Sequence, residues 1–239
     1  AFFAAKKQKP SFAFQAKRGF FIKHILGVAL SPFGLTFSPN ITLILVNKSA
    51  ALFGGTMAVT CYASISYVSS VVILLLQGIS DGSQPLVSLA YGEGNIPRAK
   101  AIRNFAYQFS VLISAICVAV LFAVRGHAAE LFGASPQVTQ EVAKILPIFL
   151  CGYLFISISR VTTAFFYAIS ENLQAYLLIY GEPLLLLLLL LILPQTIGIL
   201  GTWLAIPISQ IALSLLGLFM VWKDRQMAQV TPVMESHNN

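Results

Sequence analysis

The sequence predicts an all-α membrane protein, a six-transmembrane-helix bundle. Three observations carry that prediction. The 239 residues are 57% hydrophobic and only 10% charged, against roughly 25% charged in ordinary globular domains, and the mean hydropathy is +0.82. Six stretches reach the about 20 mainly apolar residues that a spanning helix needs. The basic residues are distributed unequally around those stretches, as they are around membrane spans.

The spans run from Ile25 to Val46, Val59 to Ile79, Phe105 to Val124, Ile145 to Ala168, Ala175 to Leu193 and Ile197 to Trp222. The first is too long for the apolar part of a secretory signal and lacks a cleavage site. Six spans leave almost no room for a soluble domain. The organisation expected is a basic cytoplasmic lead-in over 1–23, a six-span unit over 24–225 and a polar cytoplasmic tail over 226–239. The lead-in carries Phe2, Phe3, Phe12, Phe14, Phe20 and Phe21 among its lysines, a composition suited to the membrane interface. The chain begins at Ala1 rather than Met, and the expectation is a fragment whose preceding part is missing, with the lead-in as its linker.

Short connections are expected between the spans: Asn47 to Gly55, Arg125 to Gln140 and Pro194 to Thr196 on one side, Gly92 to Asn104 and Ser170 to Gln174 on the other. "ASPQVTQEVAKI" reads as an N-cap at Ser135, Pro136 in the first helical position, then a surface helix before span four. Span one holds Pro32 and Pro39, seven residues apart. Each removes a helical hydrogen bond, which fits either a fixed kink or an element that bends. Pro85 and Pro183 are further hinge candidates.

Net charge is +7, yet its placement points to orientation rather than to nucleic acid. Lys6, Lys7, Lys9, Lys17, Arg18, Lys23, Arg98, Lys100, Arg103, Lys223 and Arg225 fall on one side, while Lys48, Arg125 and Lys144 fall on the other. Eleven against three places both termini in the cytoplasm of a cell membrane. Cys61, Cys117 and Cys151 lie in apolar spans without metal-ligand spacing and read as small buried hydrophobes. His24, His127 and His237 are scattered, with no zinc-protease, hydrolase or phosphate-loop motif. No enzyme, cofactor or metal is expected.

"LLLQGISDGSQPLVSLAYGEGNIPRAKA" (74–101) contains Gly78, Gly82, Gln84-Pro85, Ser88, Tyr91-Gly92, Gly94-Asn95 and Arg98. In that order and spacing the stretch resembles the multidrug and toxic compound extrusion (MATE) family. "AFFYAISENLQAYLLIYGEP" (164–183) and "LPQTIGILGTWLAIPISQ" (193–210) are similar to later parts of the same family, and the resemblance covers about residues 20 to 225. It implies one lobe, the second, of a twelve-helix MATE-type transporter with two six-helix lobes. It also implies export of cationic or amphipathic compounds by H⁺- or Na⁺-coupled antiport, with the first lobe as partner. Sodium-coupled relatives use a carboxylate in the span corresponding to span four; here that span has only Arg160. Gly78 and Gly82 are expected to permit close helix contact, and Asp81 lies near the cytoplasmic interface, in water or at a site.

Charges inside spans mark function by default. Arg160 lies in span four and Glu182 in span five, equidistant from a turn at Glu171, so antiparallel helices place both about 12 Å deep. Two arrangements fit. Either the two charges neutralise each other, or Glu182 is a protonatable cation site and Arg160 its displaceable counterion. Pro183 would free a carbonyl near Ile179. Asn40, Tyr67, Gln77, Gln84, Tyr153, Tyr167, Tyr180 and Gln210 are further substrate- or ion-site candidates, and Phe33, Phe37, Phe165 and Phe166 offer aromatic faces for organic cations. Two rivals to export are a flippase of lipid-linked sugars and a non-transporting membrane scaffold.

Overall fold

The computed structural model describes residues 18–235. The basic lead-in as far as residue 17, with Phe2 to Phe14, and residues 236–239, with His237, lie outside the described residues. What is described is helical: α1 (Arg18–Gly92), α2 (Ile96–Val124), a 3₁₀ turn (Glu130–Phe132), α3 (Pro136–Ala168), α4 (Asn172–Ile197) and α5 (Ile199–Glu235). Among the described residues five helices are long and apolar enough to cross a membrane, and α1 supplies two of the six expected rods. It breaks at Gly55, with φ 66° and ψ −163°, a region essentially closed to side chains. Residues about equidistant from that glycine, Asn47 with Ala63 and Ser38 with Ile73, line one cavity, so the chain folds back there. Gly198, φ 61° and ψ −145°, makes the same one-residue turn between α4 and α5.

These turns correct two expected loops. Residues 47–54 and Pro194–Thr196 are helical, and a single glycine does the work of each connection. At the other end α2 starts at Ile96 and α4 at Asn172, several residues earlier than expected. Asn95 caps α2 through Oδ1, which accepts from the Arg98 amide at 3.1 Å. Ser135 caps α3 as expected, with Pro136 at its start, but no separate surface helix follows. α3 runs unbroken to Ala168 through Pro147, because a continuous helix keeps the remaining backbone groups satisfied in lipid. Backbone angles also stay helical at Pro32, Pro39 and Pro85; Gly55 alone departs within α1.

Burial divides the bundle into two apolar cores. One joins Val46, Tyr62, Ile65, Leu76, Leu146, Phe149, Leu186 and Trp203. The other joins Val87, Ala90, Phe165, Phe166, Leu178 and Val221. Between them every rod passes through polar residues. Ser38 lies on the first arm of α1, Gln77 and Ser80 on the second, Ser110 on α2, Ser157 and Thr162 on α3, Glu182 on α4, and Ser209 and Gln210 on α5. Outside this waist the surface is apolar, with Leu52 and Leu74 about 70% exposed (71% and 70%), as lipid contact requires. The leucine run of α4 both fills and faces outward: Leu186 and Leu190 are buried, while Leu184, Leu187, Leu188 and Leu191 are exposed.

Three further expectations change. Gly78 and Gly82 have open space where a Cβ would stand, so they mediate no close contact; Gly34 does, a Cβ there falling 2.6 Å from the Tyr180 ring. Cys151 is exposed rather than buried. Arg103 is not a loop cation: it is buried on α2, its guanidinium 4.6 Å from the Phe165 ring centre.

Gly55→Ala and Gly198→Ala should each lower stability by about 1–3 kcal/mol, the strain of a side chain in that backbone region. Gly78→Ala and Gly82→Ala should leave stability unchanged or raise it by up to about 1 kcal/mol through helix propensity. Thermal unfolding of the detergent-solubilised variants checks both pairs.

Candidate binding cavity

The waist encloses a cavity of about 430 Å³. Its walls come from both arms of α1, from α3, α4 and α5, and no α2 residue lines it. The second arm contributes Tyr62, Ser66, Ser69, Ser70 and Ile73, a stripe at helical spacing. Several of these hydroxyls are already spent on their own helix: Ser66 donates to the Ala63 carbonyl at 2.7 Å and Ser70 to the Ser66 carbonyl at 2.7 Å. Ser69 instead shares a hydrogen bond of 2.5 Å with the Tyr153 hydroxyl of α3. That bond crosses the cavity wall and fixes Tyr153, which is buried.

Among the lining residues only Arg160 and Glu182 are charged. Both are half-buried, and both also line a recess of about 10 Å³ with Ser38, Ser159 and Thr163, room for about one water. Yet no ion pair within 4 Å joins them among the described residues; the three pairs found are Arg98–Glu93, His127–Glu130 and Lys144–Glu141, all at exposed positions. Arg160 Nη1 donates instead to Gln77 Oε1 at 3.4 Å, and Gln77 Nε2 donates to Asp81 Oδ1 at 2.6 Å. The carbonyl of Ile179, four residues before Pro183, accepts from Ser38 Oγ at 3.2 Å. The freed carbonyl expected there is met by a hydroxyl from the first arm of α1.

Gln210 offers a different feature. Its Oε1 is buried without a hydrogen-bond partner in the described structure, and its side chain lies against Gly152, where a Cβ would collide with it. That oxygen is packed against Gly152 of α3 rather than turned to the cavity, so it is an unmet acceptor inside the helix contact.

The other predicted residues divide. Asn40 and Tyr67 line the cavity, although Asn40 Nδ2 donates to the Thr36 carbonyl at 3.0 Å and Tyr67 stacks on Phe132 at 5.7 Å. Tyr180 lies off the cavity and donates to the Leu30 carbonyl at 2.8 Å. Gln84, Tyr167 and Asp81 are not among its lining residues, and Asp81 is exposed. The aromatic surfaces are not the phenylalanines expected. Phe33 and Phe37 stack on each other at 5.3 Å, and Phe165 and Phe166 fill the second core. Tyr62, Tyr67, Phe149 and Tyr153 supply the rings in the cavity. The missed signal was "CYASISYVSS", residues 61–70, where hydroxyls recur at i, i+4 and i+7 or i+8 inside an apolar span.

A model of the MatE family matches residues 41–179, more than half of the chain and most of the cavity wall. The chain belongs to the MatE family. MatE proteins are transporters and not enzymes, and this chain is a multi-pass membrane protein of that fold. No curated protein sequence matches it. Among solved structures, an outward-facing multidrug resistance MATE family transporter of the MOP superfamily superposes with TM-score 0.80 at 19% identity, over 93% of this chain and 50% of that one. A MATE protein in the bent conformation gives 0.80 at 20%, over 92% and 49%. A MOP superfamily transporter from Pyrococcus furiosus, for which a reversed polarity of the binding pocket suggests a different function, gives 0.79 at 22%, over 90% and 48%. The chain therefore spans about half the length of the MATE structures it matches.

Two neighbouring substitutions should move the stability of this MatE chain in opposite directions. Tyr153→Phe removes the cross-helix bond to Ser69 and should cost about 1 kcal/mol. Gln210→Met removes a buried open acceptor and should gain up to about 1 kcal/mol. Thermal unfolding reads both, and a Tyr153→Phe, Ser69→Ala double variant should be no less stable than Tyr153→Phe alone.

Proposed function

We propose that the chain forms the second six-helix lobe of an exporter of cationic or amphipathic compounds, working with a first lobe of similar size. The coverage of about half of each MATE structure supports a partner lobe. The observation that carries the export reading is Glu182, a carboxylate in a cavity wall at mid-depth whose nearest cationic neighbour on that wall is bonded elsewhere. Aromatic rings from Tyr62, Tyr67, Phe149 and Tyr153 around a carboxylate suit flat organic cations, which bind through ring faces and charge together. A flippase of pyrophosphate-linked sugars calls for several cations, and Arg160 is the single one among the lining residues.

Between the two coupling ions, the lining favours H⁺. A sodium ion wants several free oxygen ligands. Here the Arg160 guanidinium, a fixed positive charge, shares the recess with Glu182 and opposes a second fixed cation there. A proton needs only the carboxylate. Both termini face the cytoplasm of the cell membrane in this reading, following the division of basic residues, ten to three once the buried Arg103 is left out.

The test is dye efflux from energised vesicles holding the protein at its full native length, wild type against Glu182→Gln. Loss of ethidium efflux by an order of magnitude or more is expected in the folded variant, with wild-type efflux driven by a pH gradient and indifferent to sodium. Efflux that survives the substitution would sink the assigned role of Glu182. A wild-type protein that never moves the dye would favour the scaffold.

A further inference from the structure

The sequence places Arg160 and Glu182 at one depth, and the structure gives them one cavity and one recess, yet they do not pair. An arginine and a glutamate so placed in an apolar surround attract each other strongly, because low polarity weakens screening. Something must hold them apart. The contacts of Arg160 identify it. Its Nη1 donates to Gln77 Oε1 at 3.4 Å, across from α3 to α1. Gln77 Nε2 in turn donates to Asp81 Oδ1 at 2.6 Å, one turn along the same helix.

The chemistry of the three groups allows the chain of bonds to run only one way. A carboxylate accepts and does not donate; a guanidinium donates and does not accept. The amide between them must therefore turn its NH₂ to Asp81 and its oxygen to Arg160. The short charge-assisted bond to Asp81 polarises the amide and strengthens its oxygen as an acceptor. Asp81 thus serves as a remote counter-charge for Arg160, transmitted through Gln77, although Asp81 itself stands outside the cavity.

We propose that Gln77 is a positioning residue, backed by Asp81, that holds Arg160 off Glu182 and so keeps the Glu182 carboxylate open to cargo from the cavity. This rests on the exporter reading for what the open carboxylate is used for, but not for the geometry. Arg160 then is not a resting counterion of Glu182. It is a tethered charge on the same wall, and release of the tether lets it swing across the recess to close an ion pair. Gln77 lines neither the cavity nor the recess, so its effect must pass through Arg160.

A hydrophobic carbodiimide, which couples to membrane carboxyl groups not engaged in an ion pair, tests this without transport. In the reconstituted protein of full native length, peptide mass spectrometry should find Glu182 modified in the wild type. In Gln77→Leu the yield at Glu182 should fall by about tenfold, the scale of one interhelical polar contact. Asp81→Asn should lower it in the same direction by less. Adding Arg160→Gln to Gln77→Leu should restore the wild-type yield, which general damage to the fold would not do. An unreactive Glu182 in the wild type, an unchanged yield in Gln77→Leu, or no restoration in the double variant would each overturn the proposal. If Gln77→Leu fails to fold, Asp81→Asn with and without Arg160→Gln gives the same decision. Should the labelling follow this pattern in a protein that exports no dye, the exporter reading fails and the positioning stands. Efflux that needs Glu182 alongside unchanged labelling sinks the positioning alone.

Discussion

The constraint on which this bundle depends is that a polar group at mid-depth has only the protein itself to bond to. Lipid supplies no partner, and an unmet donor or acceptor there costs several kcal/mol. Two apolar cores, one around Phe149 and Trp203 and one around Phe165 and Phe166, account for cohesion but not for specificity. The layer between them sets which rod stands next to which. Ser69 meets Tyr153, Ser38 meets the Ile179 carbonyl, and Tyr107 meets Thr162 at 2.8 Å. Each such bond joins two different helices at a defined rotation. Slippage of one rod by a single residue would strand both partners.

The same layer is where cohesion is incomplete, and that is where the cavity opens. Hydroxyls bonded back to their own helices, such as Ser66 and Ser70, line a space without attracting a neighbour into it. Glu182 lines the same space with no ion pair within 4 Å among the described residues. A bundle that satisfied every waist group would be more stable and would have nothing to offer a ligand. In the proposed reading, binding capacity is the remainder left when structural bonds have been made.

The number of helices was legible because hydropathy measures length, and about 20 apolar residues have one reading in lipid. The cap at Ser135 was legible because a short side chain before a proline leaves few alternatives. The ends of the rods were not. Hydropathy falls at polar residues such as Asn47, Lys48 and Gln195 whether or not the helix stops, and only the backbone angles at Gly55 and Gly198 show where it does. At the site, a common level on two antiparallel helices could be worked out for Arg160 and Glu182, and both line one recess. Rotation could not, since spacing along one helix says nothing about which neighbour it faces. That missing angle is why two charges on one recess stand unpaired, and why the aromatic lining comes from Tyr62 and Tyr67 of the second arm and Phe149 and Tyr153 of α3 rather than from Phe33, Phe37, Phe165 and Phe166.

The turns at Gly55 and Gly198 have a mechanical meaning. Each joins two rods through a single residue, and the two junctions lie together: a Cβ at Gly54 would fall 2.9 Å from Ile199, and the Ser49 and Thr202 hydroxyls meet at 2.8 Å just below. Four rod ends are stitched into one knot with no slack in the thread. The third connection at that end, between Val124 of α2 and Pro136 of α3, is the longest in the bundle, so four of the six rod ends there are clasped and the other two are joined by a longer thread. Two helical hairpins thus share one clasp, and α2 and α3 meet beside it on a looser hinge of chain.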